Sequence, residues 1–192
     1  MSEPARLEAA FAAFDAANAL DPNSEDDQPK ELLYARRMTE ALRAFAPGAS
    51  EVLELAARAQ HLERWKIARS EYPMDRPGYL RWRQELKKRH AARAGEILER
   101  VGYDAPLIER VQTLLMKKGI KADADVQCLE DVICLVFLRH YWNDFRLKHD
   151  EAKLINIVRK TWKKMSPAGH EAALKLEFDE PSKAILQAAL AE

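Results

Sequence analysis

From Trp82 to Val101 the positions 82, 86, 90, 94, 97 and 101 recur at intervals of three and four, and all but one of them carry an apolar residue. That is the repeat of one face of an α-helix, and His90 falls on it, so its imidazole is expected to point into the core. Leu7, Phe11 and Phe14 show the same period near the start of the chain. A strand would suit Ile133 to Leu138 taken alone, but no alternating partner segment or hairpin turn stands elsewhere to pair with it. The expectation is therefore an all-α fold, a single compact domain of about seven to eight helices spanning residues 1–192.

Turn-forming residues divide the pattern. Helices are expected over Ala5 to Ala19, Pro29 to Phe45, Ser50 to Arg69, Tyr79 to Val101, Asp104 to Gly119, Asp125 to Phe145, Glu151 to Lys164 and Pro181 to Ala191. Asp21 to Asp27 reads as an exposed loop, Tyr72 to Gly78 as a turn, and Ser166-Pro167-Ala168-Gly169 as the separator of the last two helices.

Lys and Arg number 31 and Asp and Glu 31, so net charge asks for no polyanionic partner. The charges are nonetheless segregated: Met1 to Glu51 holds 10 acidic and 5 basic residues, whereas Arg58 to Arg93 holds 11 basic and 4 acidic. Cys128 and Cys134 lie six residues apart in a helix-like apolar segment, which suits free buried thiols rather than a disulfide. No signal-peptide pattern opens the chain and no apolar run approaches the roughly 20 residues of a bilayer span, so a cytoplasmic protein without a membrane partner is expected.

Three clusters carry potential chemistry. Glu130 and Asp131 precede the most apolar run of the chain, where a carboxylate requires a cation beside it: an arginine such as Arg64, Arg83 or Arg93, or a metal. His61 and His90 sit on apolar faces of consecutive helices; each alone suits a hydrogen-bonded core residue, but together with Asp131 they are a ligand set for one divalent ion. The third cluster is Arg64, Trp65, Lys66, Arg69, Arg76, Tyr79, Arg81, Trp82 and Arg83, in which guanidinium forks suit phosphate and aromatic faces suit a base. Its plainer reading is a set of core aromatics with a solvated cationic rim. Glycine is too scarce for a phosphate-cradling loop, and no glycine-flanked serine elbow is present.

His61-Leu62-Glu63-Arg64-Trp65, then His90, then Leu129-Glu130-Asp131-Val132 follow an order that resembles the HD-domain metal-dependent phosphohydrolases over about residues 51 to 145. The resemblance implies an HD-like bundle with His61, His90 and Asp131 as metal ligands. The position after His90 is Ala91, where that superfamily carries a defining Asp, and Glu130 is the substitute at hand. A closer similarity, through stretches such as Glu31 to Met38, Ala59 to Trp65, Gly78 to Arg83 and Lys160 to Ser166, is to a bacterial and fungal family of unknown function. That similarity also implies Glu31, Tyr34 and Arg37 as pocket members. Some of its members carry a glutamyl-tRNA synthetase label, and Lys164-Met165-Ser166 resembles part of that enzyme's signature; the nucleotide-binding sheet and histidine motif of that class are missing, which argues against aminoacylation.

Two functions follow as expectations. The first is a divergent HD-like hydrolase of a nucleotide or other small phosphorylated substrate, with one divalent ion on His61, His90 and Asp131, catalytic roles for Asp131 and Glu130, and Arg64, Arg81, Arg83, Tyr79, Trp82 and Arg37 binding substrate. The second is a non-catalytic, metal-free module binding a nucleotide, a phosphorylated metabolite or, less favoured, RNA. An iron-dependent redox enzyme on an HD-like scaffold ranks below both, since it needs more ligands than the chain supplies.

Overall fold

The computed structural model describes residues 3–191, and the fold is all-α. Ten helices follow one another: α1 (Glu3–Asn18), α2 (Lys30–Phe45), α3 (Glu51–Arg58), α4 (Arg76–Val101), α5 (Ala105–Leu115), α6 (Ala124–Val136), α7 (Trp142–Arg146), α8 (Glu151–Lys164), α9 (Pro167–Leu174) and α10 (Glu180–Leu190). Their starts are set by short polar side chains. Ser50, Asp75, Asp104, Asp150, Ser166 and Asp179 each accept a hydrogen bond from the backbone N–H three residues on, and proline occupies the first turn of α4, α5, α9 and α10. α4 stops at Gly102, whose φ of 95° is the left-handed conformation that favours glycine.

The helices gather into two compact units, residues 1–118 and 119–192. In the first, α4 packs on α1 and α5, and α3 on α1, α2 and α5. Phe14, Met38, Leu42, Leu55, Leu62, Ile97, Leu98 and Leu114 are fully buried there, each contributing about 1.5–3 kcal/mol of transfer free energy. The second unit packs α6 on α8 and α9, and α8 on α10. Trp142, Leu154, Val158 and Ala189 form one of its cores, wrapped by Phe137, Phe145, Phe178 and Leu186.

Four local features differ from the sequence expectation. Ser24–Glu25 and Gln28–Pro29 pair as a two-stranded antiparallel hairpin, β1 and β2, through Asp26 and Asp27, both at positive φ, within the stretch expected to be a loop. α3 ends at Arg58 rather than Arg69: Glu63 takes a left-handed φ of 52°, and the Leu62 carbonyl, the Glu63 N–H and the Ile67 carbonyl bond to side chains of other elements. The helix begun at α6 passes through a π-turn over Phe137–Tyr141 before α7. Ser166-Pro167-Ala168-Gly169 is the cap and first turn of α9, a helix the sequence analysis does not anticipate.

Candidate functional site

His90 lies on α4, buried on the face that its spacing indicates, and its Nδ1 is 2.7 Å from the carbonyl oxygen of Leu62. A carbonyl only accepts, so Nδ1 carries the proton and Nε2 is left as a lone pair. That nitrogen is buried without a hydrogen-bond partner among the described residues. Burial, then the neighbouring His61, pushes the His90 pKa down to about 3, so the ring is neutral.

The His61 ring centroid stands 6.0 Å from that of His90. His61 sits in the irregular segment after α3 rather than mid-helix, 23% exposed, and its ring stacks on Tyr34 of α2 at 3.9 Å and 12°. Its Nδ1 is 3.2 Å from Oε2 of Glu31, a buried residue in the first turn of α2. Burial raises the Glu31 carboxyl to about 7, against the pull of Arg64, whose Nε is 3.7 Å from the other carboxylate oxygen. Burial also holds His61 well below the usual imidazole range, reinforced by the positive charges of Arg64, Lys117, Arg83 and Lys30. The imidazole is thus neutral and mostly buried, bonded to Glu31, on which the Asp21 carboxylate acts in turn.

Asn18, at the end of α1, holds this region in shape. Its amide nitrogen donates to the carbonyl of Glu31 at 3.3 Å, while its amide oxygen accepts from the backbone N–H of Glu63 at 2.9 Å. Asp21 accepts from the backbone N–H of Glu31 at 3.1 Å, fixing the start of α2. Trp82 is buried and donates from Nε1 to the carbonyl of Ile67 at 3.0 Å, with the Arg64 guanidinium 4.7 Å over its ring. The Leu62 and Ile67 carbonyls are thereby tied to α4, which accounts for the non-helical path between them.

The remaining anticipated residues have these places. Arg83 donates to the Tyr79 hydroxyl at 3.3 Å, and Tyr79 is 41% exposed between the guanidinium groups of Arg69 and Arg83. Arg81 is exposed. Arg37 binds Glu25 and Asp26, clasping the hairpin onto α2. Asp131 and Glu130 belong to the second unit. Both oxygens of Asp131 are engaged there, accepting from the Ser166 N–H at 2.8 Å, the Ser166 hydroxyl at 2.6 Å and Gln127 at 3.2 Å. Glu130 is buried with Lys164 Nζ 3.6 Å from Oε1. Cys128 and Cys134 are not joined in a disulfide; the first is half-buried and the second buried.

Among the described residues no group of three His, Cys, Asp or Glu side chains has the arrangement of an ion-binding cluster. Two imidazoles converge, and the carboxylate nearest them is bonded to an imidazole Nδ1, the position of a supporting partner rather than a ligand. Sequence reasoning reached His61, His90 and Arg64 from residue pattern. Glu31 and Tyr34 came from family resemblance alone. Asn18, Lys30 and Lys117 gave no signal, since each lies in a segment whose own composition is ordinary.

The fold and this cluster define an all-α protein whose first unit carries a cationic, histidine-containing site. More particularly, the chain belongs to the family described as Domain of unknown function (DUF4202), whose model matches residues 8–186. Comparison with curated proteins yields no significant match, nor does comparison with solved structures.

Proposed function

We propose that the first unit binds a small phosphorylated ligand, such as a nucleotide or phosphorylated metabolite, at the cluster around His61. The observation that carries this reading is the charge balance: Lys30, Arg64, Arg83 and Lys117 act on one neutral imidazole, against the carboxylates of Glu31 and Asp21. A phosphate dianion offsets that excess, and Arg64 and Arg83 present the planar donor forks that suit its oxygens. Tyr79, exposed beside Arg83, offers a face for a nucleobase or another flat group. Trp82 serves the core and the Ile67 carbonyl, so its role is to support Arg64 rather than to touch ligand.

A phosphohydrolase at the same place is the second reading, favoured by the approach of the two imidazoles and by the buried lone pair on His90. Among the described residues no three-ligand group of the kind an HD-like enzyme uses is assembled, and no step is assigned to a metal. Within this reading Glu31 and His61 form a carboxylate–imidazole pair able to accept a proton from water or a substrate hydroxyl.

Thermal unfolding of the full chain with adenosine monophosphate or inorganic pyrophosphate tests the binding reading. Stabilisation that grows with ligand concentration and disappears in both His61→Gln and Arg64→Gln is expected; equal stabilisation of all three proteins, or none of the wild type, rejects it. Elemental analysis of untagged protein, together with phosphatase assays with added Mn²⁺, Co²⁺ or Fe²⁺, decides the second reading. Stoichiometric metal lost in His61→Ala and His90→Ala would favour the hydrolase.

A further inference from the structure

Arg89 and Arg93 stand four residues apart on α4, and both face the carboxylate of Glu63. Nη2 of Arg89 is 3.6 Å and Nε of Arg93 3.4 Å from Oε2, while Lys66 Nζ reaches Oε1 at 2.8 Å. The Glu63 side chain is only 4% exposed. Together with Lys88 and Ala92 these residues line a cleft of about 480 Å³, a size that accepts a small metabolite. The lining as a whole sets Lys66, Lys88, Arg89 and Arg93 against Glu63, Glu85 and Glu96, one positive charge in excess, with Lys88 paired to Glu85 at 3.4 Å and Arg93 to Glu96 at 2.7 Å. Arg89 differs from its neighbours. It makes no hydrogen bond to any described residue, and its Nε is buried with no partner.

A buried donor without an acceptor is unfavourable by about 1–3 kcal/mol unless a ligand supplies one. A guanidinium held only by a 3.6 Å ion pair to Glu63, beside two further cations, can present parallel N–H groups to an oxyanion. We propose that this cleft is a second phosphate-binding site, separate from the one around His61, in which Arg89 holds the oxyanion as a fork and Arg93 and Lys66 complete the charge. Four basic side chains in one cleft offer donors to three or more oxyanion oxygens, which a phosphate or phosphate monoester supplies and a monocarboxylate does not. The small side chain of Ala92 leaves room between Arg89 and Arg93 for the rest of the molecule.

Isothermal titration of the full chain with inorganic phosphate at low ionic strength tests the proposal, using wild type, Arg89→Gln and Arg64→Gln. Arg89→Gln is expected to change the unfolding midpoint little, because Lys66 and Arg93 remain on the Glu63 carboxylate, and to weaken one class of phosphate site at least about tenfold, the effect of losing one charge-assisted bond. Arg64→Gln is expected to retain that class. Acetate is expected to bind Arg64→Gln far more weakly than phosphate. An Arg89→Gln isotherm identical to wild type, or acetate binding as tightly as phosphate, overturns the proposal. Loss of phosphate binding in Arg64→Gln with retention in Arg89→Gln overturns it too and leaves the His61 site standing, whereas a site sensitive to Arg89 alone does the reverse.

Discussion

Glu31 and His61 share one hydrogen bond, and which of them carries the proton decides what His61 offers a ligand. With Glu31 ionised, Nδ1–H of His61 donates to it and Nε2 is a lone pair; with Glu31 protonated, the carboxyl donates and Nε2 carries a proton. The carboxyl titrates at about 7. Sulfate, whose own charge is constant, is therefore expected to bind more weakly as pH rises through 7, both because a donor is lost and because a negative charge is gained. Glu31→Gln should flatten that dependence; titration calorimetry across pH 6 to 8 measures it, and an unchanged slope in the variant would count against the pairing. His90 titrates with the opposite linkage to folding: its pKa is depressed, so its stabilising contribution is complete above about 6.5 and is lost as pH falls toward 3. His90→Gln is expected to shrink the acid-induced loss of stability in that window, as read by urea unfolding at pH 7 and pH 4. Asn18 is the third residue of consequence. Asn18→Ala leaves the buried N–H of Glu63 without its acceptor and should lower stability by about 1–3 kcal/mol in denaturant unfolding.

Elements show how a short cap can couple two helices. Ser166 caps α9 by accepting from the Gly169 N–H at 3.0 Å, and the same hydroxyl donates to Asp131 of α6. Gly169 is needed for that approach, since a Cβ there would lie 2.6 Å from the Asp131 carboxylate. Gly169→Ala should lower stability by about 1–3 kcal/mol, the usual effect of overpacking, and a midpoint equal to wild type would show that α9 can move aside. The Ser-Pro-x-Gly sequence from Ser166 to Gly169 reads equally well as a loop or as the start of a helix, because serine and proline are common in both settings. Only the packing of α9 on α6 selects between them. α3 shows the converse. Its sequence continues in a helical pattern past Arg58, but Asn18, His90 and Trp82 bond to backbone groups of the following segment and outweigh local propensity.

At the scale of the whole molecule, equal numbers of acidic and basic residues conceal a group of cations in the first unit, drawn from α2, the turn after α3, α4 and the segment after α5. Charge of this kind acts over about 10 Å at 0.1 M salt. Binding of pyrophosphate is accordingly expected to weaken several-fold between 20 and 200 mM NaCl, and the slope should fall in Arg64→Gln; salt-independent affinity would show that the cations take no part. No helix among the described residues is long and apolar enough to cross a membrane.

The helical class, most helix starts and the burial of His90 are legible in the chain because they depend on local matters: a repeat of three and four, and capping side chains within three residues of the groups they satisfy. His61 and His90 could be paired by type, and they do stand together. The carboxylate that accompanies them is Glu31, thirty residues before His61, while Asp131 is committed to Ser166. Which acid meets which base is set by how helices cross and where a backbone turn is pinned, and no periodicity within a segment encodes the position of another segment. Tertiary packing alone decided the site, because its defining contacts join α1, α2, the turn after α3, and α4.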